Sequence, residues 1–168
     1  MADETAGKGH DFEFTTIDGD PLPLDQFKGQ PVLVVNTASH CGFTPQYREL
    51  QELWRRYRAK GLAVIGVPCN DFGKQEPGTN AEIKEVCKDQ YGVDFPLTEK
   101  EKVVGADAHP FFQWAAAEGG ADAQPRWNFH KYLIGTYGEL AGAWPSPVQP
   151  LDRAVTDAIE QFTGAPGS

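Results

Sequence analysis

Apolar residues in this chain alternate between short runs and periodic stripes. Val32–Val35 and Leu62–Pro68 are nearly unbroken apolar runs of strand length, the kind that fills the middle of a parallel sheet. Between them Tyr47, Leu50, Trp54 and Tyr57 recur at helical spacing. A helix is therefore predicted from about Pro45 to Lys60, with Gly61 as its stop. Residues 31–68 then read as a βαβ unit with parallel strands. Ahead of it, Phe12–Thr16 and Pro21–Leu24 flank Asp18-Gly19-Asp20 as an N-terminal hairpin. Beyond it, Thr79 and Glu82 form a capping-box pattern opening a helix to about Tyr91, with Ile83, Val86, Cys87 and Tyr91 on its apolar face and Gly92 after it. A further helix is expected near His109-Pro110. Phe129–Ile134 and Leu140–Trp144 read as an antiparallel hairpin, and a last helix runs from about Leu151 to Phe162. This order predicts an α/β chain of thioredoxin-like plan: a central mixed sheet flanked by helices, with an N-terminal hairpin. Chemistry in such sheets collects at the carboxyl ends of the parallel strands.

Two segments fall at those ends. The first is Cys41, in the loop between the Val32 strand and the helix. Thr44 and Pro45 read as N-cap and first helical residue, because Thr can accept an orphan N–H and Pro lacks one. Cys41 would then lie near the positive end of the helix dipole, a place that favours thiolate over thiol. The second is the loop 69–78, Cys-Asn-Asp-Phe-Gly-Lys-Gln-Glu-Pro-Gly, rich in turn formers.

Composition narrows the function. The 168 residues suit one domain over 1–168, with 1–8 as a flexible lead-in and no need of disulfide staples. A net charge of −9 argues against nucleic acid and anionic membrane surfaces. No apolar run approaches the ~20 residues needed to span a bilayer. The N-terminus has no basic-plus-apolar signal pattern, so a cytoplasmic protein is expected. The three cysteines, Cys41, Cys69 and Cys87, show no C-x-x-C or H-x-x-H pairing, which disfavours a zinc site, and Cys41-Gly42-Phe43-Thr44 lacks the second cysteine of a dithiol oxidoreductase. No G-x-S-x-G elbow supports a hydrolase.

For cysteines in general, ionisation alone does little. Lowering a thiol pKa to ~6 raises its ionised fraction at neutral pH about thirtyfold. Falling nucleophilicity removes about tenfold of that. A fast reaction at sulfur also needs stabilisation of charge on the leaving atom. Gln75, in the second loop, and Trp127-Asn128, before the Phe129 strand, are candidate neutral donors.

NTASHCGFTPQY, PCNDFGKQEPG and WNFHKYL closely resemble the three signature blocks of glutathione peroxidases, in the same order and at similar spacing, and the resemblance spans about residues 8–162. It implies that Cys41 is the peroxidatic residue, with Gln75, Trp127 and Asn128 as its partners. The Cys41 thiolate would attack a peroxide O–O bond, release alcohol or water and become a sulfenic acid, with no metal or organic cofactor. Cys87, with Phe95-Pro96 a few residues on, fits the cysteine-containing branch of the family. There it implies a resolving cysteine that closes a Cys41–Cys87 disulfide, which thioredoxin reduces. Such a bond needs Cα atoms within ~7 Å, so the helix carrying Cys87 is expected to unwind; at about 12 residues it is short enough to do so. The short Trp114–Trp127 segment lacks the loop of tetrameric relatives and implies a monomer. Direct reduction by glutathione without Cys87, and a peroxide sensor relaying its disulfide to a partner, are the alternatives. Cys69 is expected to be simply buried. Asp71 stands where the family often has Gln and His130 where Thr or Ser is common; neither His130 nor His40 is assigned to catalysis.

Overall fold

The computed structural model describes residues 7–165. Its main sheet is built from the strands the apolar runs predict: β3 (Val32–Thr37) and β4 (Ala63–Pro68) pair in parallel, following a separate two-stranded hairpin of β1 (Glu13–Thr15) and β2 (Pro21–Pro23). Every residue of β3 and β4 is buried, as expected of strands covered on both faces. Antiparallel β5 (Lys131–Ile134) and β6 (Leu140–Trp144) complete the order β4-β3-β5-β6.

The alternation of side chains along each strand divides the core in two. Val32, Val34, Ile65, Val67, Tyr132 and Ile134 face the hairpin and α3 (Pro110–Gly119), where Phe111 and Phe112 pack. Leu33, Val35, Val64 and Leu133 face the opposite way, against α1 (Gln46–Tyr57), α2 (Asn80–Tyr91) and α4 (Arg153–Thr163). Cys69 belongs to the first core and Cys87 to the second.

The helix ends follow their capping chemistry. On α2 the box is complete: Thr79 Oγ1 accepts from the Glu82 N–H at 3.2 Å, and Glu82 Oε1 accepts from the Thr79 N–H at 2.8 Å. Gly92 closes it in the left-handed region at φ 64°. The last helix starts at Arg153 rather than Leu151, because Asp152 caps it by accepting from the Ala154 N–H. Two expectations fail locally. Thr44 does not cap α1; its hydroxyl turns back toward Cys41, and the helix begins at Gln46. Phe129 and His130 do not belong to β5, because Phe129 has φ 65°, which breaks an extended strand.

Of the expected flexible segment 1–8, residues 1–6 lie outside the described ones. Gly7 and Lys8 are held: the Trp114 indole donates to Gly7 O, and the Lys8 N–H donates to Asp11 Oδ2. Among the described residues no helix is long and apolar enough to cross a membrane.

Candidate active site

Cys41 sits four residues beyond the end of β3, in a turn closed by Thr44. The Thr44 hydroxyl accepts from the Cys41 N–H at 2.9 Å and donates to Ala38 O at 2.8 Å. Cys41 Sγ accepts from the Phe43 N–H at 3.3 Å, and the residue is 7% exposed, buried but reachable.

The loop after β4 is stitched onto this turn. The His40 N–H donates to Gln75 O at 3.0 Å, so the backbone of Gln75 is fixed one residue from Cys41. Within the loop, Asn70 Oδ1 accepts from the Glu76 N–H, and Lys100 Nζ donates to Glu76 O. Gly73 (φ 66°) and Lys74 (φ 53°) both adopt left-handed backbone, which bends the chain tightly ahead of Gln75. A Cβ on Gly73 would stand 2.9 Å from the Trp127 ring, so a glycine lets the loop lie directly against that indole. Phe72 packs on the same ring with centroids 5.9 Å apart.

The segment 127–130 is clamped by Asn36, a fully buried amide in β3. Its Nδ2 donates to Trp127 O at 3.0 Å, its Oδ1 accepts from the His130 N–H at 3.0 Å, and its backbone O accepts from the Phe129 N–H at 2.6 Å. Asn128, itself fully buried, donates from Nδ2 to Gln75 Oε1 at 3.0 Å. Gln75 thus spends its oxygen on Asn128 and keeps its NH₂ as a donor. Three loops from distant parts of the chain meet here. The structure joins Gln75 directly to Asn128, ties Gln75 to the Cys41 turn, and seats Trp127 on the Gln75 loop. Asn36 escaped the sequence reading, although a polar residue in an otherwise apolar strand was a signal. So did the reach of Thr44 back to Cys41.

Cys87 stands apart from this group. It is fully buried on α2 beside the Tyr47 hydroxyl of α1, and burial pushes its thiol up to about 11. Cys69 is also buried, accepts from the Asp71 N–H at 3.3 Å, and is pushed up to about 12 by burial. All three cysteines are free thiols. His130 is buried; its Nε2 donates to Asp122 O at 3.2 Å and burial lowers it to about 4, so the ring is neutral at pH 7. The buried Glu76 carboxyl is raised by burial. Among the described residues no three His, Cys, Asp or Glu side chains are grouped to hold a metal ion.

A mixed sheet of this order, with one cysteine beyond the end of a parallel strand and the Gln75–Asn128 amide pair tied to its turn through the His40 N–H, defines a thioredoxin-fold protein with a single-thiol site. Comparison with known proteins is more specific. The glutathione peroxidase family model matches residues 9–116. The chain is 44% identical to the hydroperoxy fatty acid reductase gpx1 of Synechocystis over 85% of its own length and 89% of that protein's. It is 41% identical to the glutathione peroxidase-like peroxiredoxin HYR1 of Saccharomyces cerevisiae, covering 86% and 89%. Among solved structures, the apo form of Trgpx superposes with a TM-score of 0.76 at 34% identity, covering 97% of this chain and 99% of that one. A thioredoxin-family thiol:disulfide interchange protein of Chlorobium tepidum, at 20% identity and a TM-score of 0.62, shares the fold. The chain belongs to the glutathione peroxidase family.

Proposed function

We propose that this protein is a thiol peroxidase that reduces hydrogen peroxide and organic hydroperoxides at Cys41. The observation that carries the reading is the Gln75–Asn128 amide pair on a loop bonded to the residue beside Cys41. The Cys41 thiolate attacks one peroxide oxygen and the O–O bond breaks. The departing alkoxide or hydroxide takes a proton and leaves as alcohol or water, and the sulfur is left as a sulfenic acid. Charge builds on the departing oxygen, and fixed neutral donors stabilise it without reorganising. Gln75 Nε2, the Trp127 indole and the Asn128 amide are the donors assigned to that task. No metal or organic cofactor enters the scheme.

The oxidised sulfur is then resolved by Cys87. The Cys87 thiol displaces water from the Cys41 sulfenic acid, giving a disulfide that two electrons from the thioredoxin dithiol reduce. Cys87 lies buried on an intact helix, so α2 unwinds for this step. The helix suits that role: only Ile83 and Cys87 of its residues are buried, and an isolated helix of this length is marginal. The reading is completed by a cytoplasmic monomer; between Trp114 and Trp127 the chain passes only through the end of α3 and a short 3₁₀ turn at Gly120–Ala123.

Peroxide consumption is measured with thioredoxin, thioredoxin reductase and NADPH, beside the same assay with glutathione. Wild type is expected to turn over rapidly with thioredoxin. Cys87→Ser is expected to consume one equivalent of peroxide and then stop. Undiminished thioredoxin-supported turnover in that variant removes the resolving role, and equal or faster turnover with glutathione assigns the reductant otherwise. A single stoichiometric oxidation of wild type in both assays makes the protein a sensor instead of an enzyme.

A further inference from the structure

Lys131 is the first residue of β5, directly after the Trp127–His130 segment, and its side chain is wholly buried. Its Nζ donates to Phe129 O at 2.6 Å and to Ser146 O at 3.2 Å, and it makes no ion pair among the described residues. Ser146, 5% exposed, also receives the Gln46 Nε2 at its carbonyl, and its hydroxyl donates to Asn128 O. One buried network therefore grips the two consecutive carbonyls of Asn128 and Phe129. Asn36 grips the same segment from the opposite strand, through Trp127 O and the Phe129 and His130 amides.

What these contacts hold is an unfavourable conformation. Phe129 has φ 65°, a region that bulky side chains adopt only when their surroundings impose it. The turn also carries both indole and amide donors of the proposed site. A buried ammonium without a carboxylate is itself unfavourable, and an apolar residue of similar volume is often as stable or more so. Stability is thus not what Lys131 supplies. Burial lowers it to about 7, with Glu49 on α1 acting in the other direction, so the site is poised rather than locked in its charged form.

We propose that Lys131 is a positioning residue for peroxide reduction: its ammonium, with Ser146, holds the Trp127–Phe129 turn so that the Trp127 and Asn128 donors meet the departing oxygen. This rests on the peroxidase reading of Cys41. It acts on the leaving group and not on the sulfur, which separates it from a general effect on the thiol or on folding.

The test pairs two reactions of fully reduced protein. One is the second-order reaction with hydrogen peroxide, followed by stopped-flow tryptophan fluorescence and trapping of the sulfenic acid. The other is alkylation of Cys41 by iodoacetamide, which attacks the same sulfur but needs no oxyanion donors. Both are run in a Cys69→Ala, Cys87→Ser background so that only one thiol reports. Lys131→Met is expected to slow the peroxide reaction by about tenfold or more, the scale of a small misplacement of catalytic groups, while the melting temperature does not fall. Alkylation is expected to stay within about twofold. Ser146→Ala, which removes one hydroxyl and no charge, is expected to act in the same direction. The double variant should lose little more than Lys131→Met alone, because both act through one turn. If Lys131→Met does not fold, Ser146→Ala alone carries the test. Peroxide rates within about twofold of the parent, or alkylation slowed by the same factor as peroxide, overturn the positioning role. A parent that forms no sulfenic acid with peroxide fails earlier, at the peroxidase reading itself.

Discussion

At the residue scale, the site is held by side chains that touch no substrate. Asn36 is the clearest case. Its amide joins β3 to both Trp127 O and the His130 N–H, the first bond part-buried and the second fully buried. Replacing it with alanine leaves the part-buried Trp127 carbonyl and the buried His130 N–H without partners, at up to about 1–3 kcal/mol each. Asn36→Ala is therefore expected to lower unfolding free energy by about 2–4 kcal/mol in urea titrations, with peroxide reduction falling at concentrations where the variant is still folded. A loss below about 0.5 kcal/mol would mean that the segment is fixed without it. Thr44 works on the other side of the site, where one hydroxyl closes the Cys41 turn by accepting from its N–H and donating to Ala38 O.

At the element scale, α2 combines strong ends with a weak middle. Its capping box is complete and Gly92 terminates it cleanly, yet only Ile83 and Cys87 are buried in the core, with Tyr91 packed at its edge. Surface contacts add little: Lys84 pairs with Asp18 at 2.7 Å where both side chains are about half exposed, a class of contact worth roughly 0–1 kcal/mol. The cap is thus a lever on unwinding. Thr79→Ala removes about 1 kcal/mol from the folded helix and raises the unwound population about fivefold. Amide hydrogens of 83–91 are expected to exchange correspondingly faster. The disulfide-forming phase after peroxide should accelerate by a similar factor, with the sulfenic-acid phase unchanged. Slower disulfide formation in this variant would show that Cys87 reaches Cys41 from the folded helix.

At the scale of the whole molecule, burial of ionisable groups sets how stability depends on pH. Lys131 is lowered from 10.5 to about 7 by burial, with Glu49 partly opposing this. The unfolded chain therefore binds more protons than the folded one between those two values, and stability rises with pH across that window. His130, lowered to about 4, works the same way below its ordinary value of 6.5, while Glu101, raised to about 7 by burial and by Glu99, works against it there. Cys87 and Cys69, both raised by burial from 9.0, oppose Lys131 only at more alkaline pH. From about pH 7 to 8.5 the Lys131 contribution dominates, on the order of 1–2 kcal/mol of added stability. Urea unfolding of reduced protein across that range is expected to show the rise in wild type and a flat profile in Lys131→Met. An equal slope in both would place the titration elsewhere.

Short-range patterns in the amino-acid sequence were enough for the order of the elements. Apolar runs marked β3 and β4, helical spacing marked α1, and the Thr79–Glu82 box with Gly92 bounded α2 closely, because these signals act within a few residues. The family blocks also pointed to Cys41, Gln75, Trp127, Asn128 and Cys87 as the residues to inspect. Where the pattern misled, a side chain had found a more distant partner: Thr44 bonds Cys41 instead of capping α1, and Phe129 turns left-handed between Asn36 and Lys131 instead of extending β5. Only the tertiary structure decided that Gln75 and Asn128, 53 residues apart, share a hydrogen bond, that Asn36 clamps a segment 91 residues away, and that Lys131 Nζ is buried against the carbonyls of Phe129 and Ser146. Such pairings follow from the register in which β3 meets β4 and β5, which places distant loops at one end of the sheet. No local pattern encodes that register for an individual side chain, so the candidate chemistry of Cys41 was legible early and its supports were not.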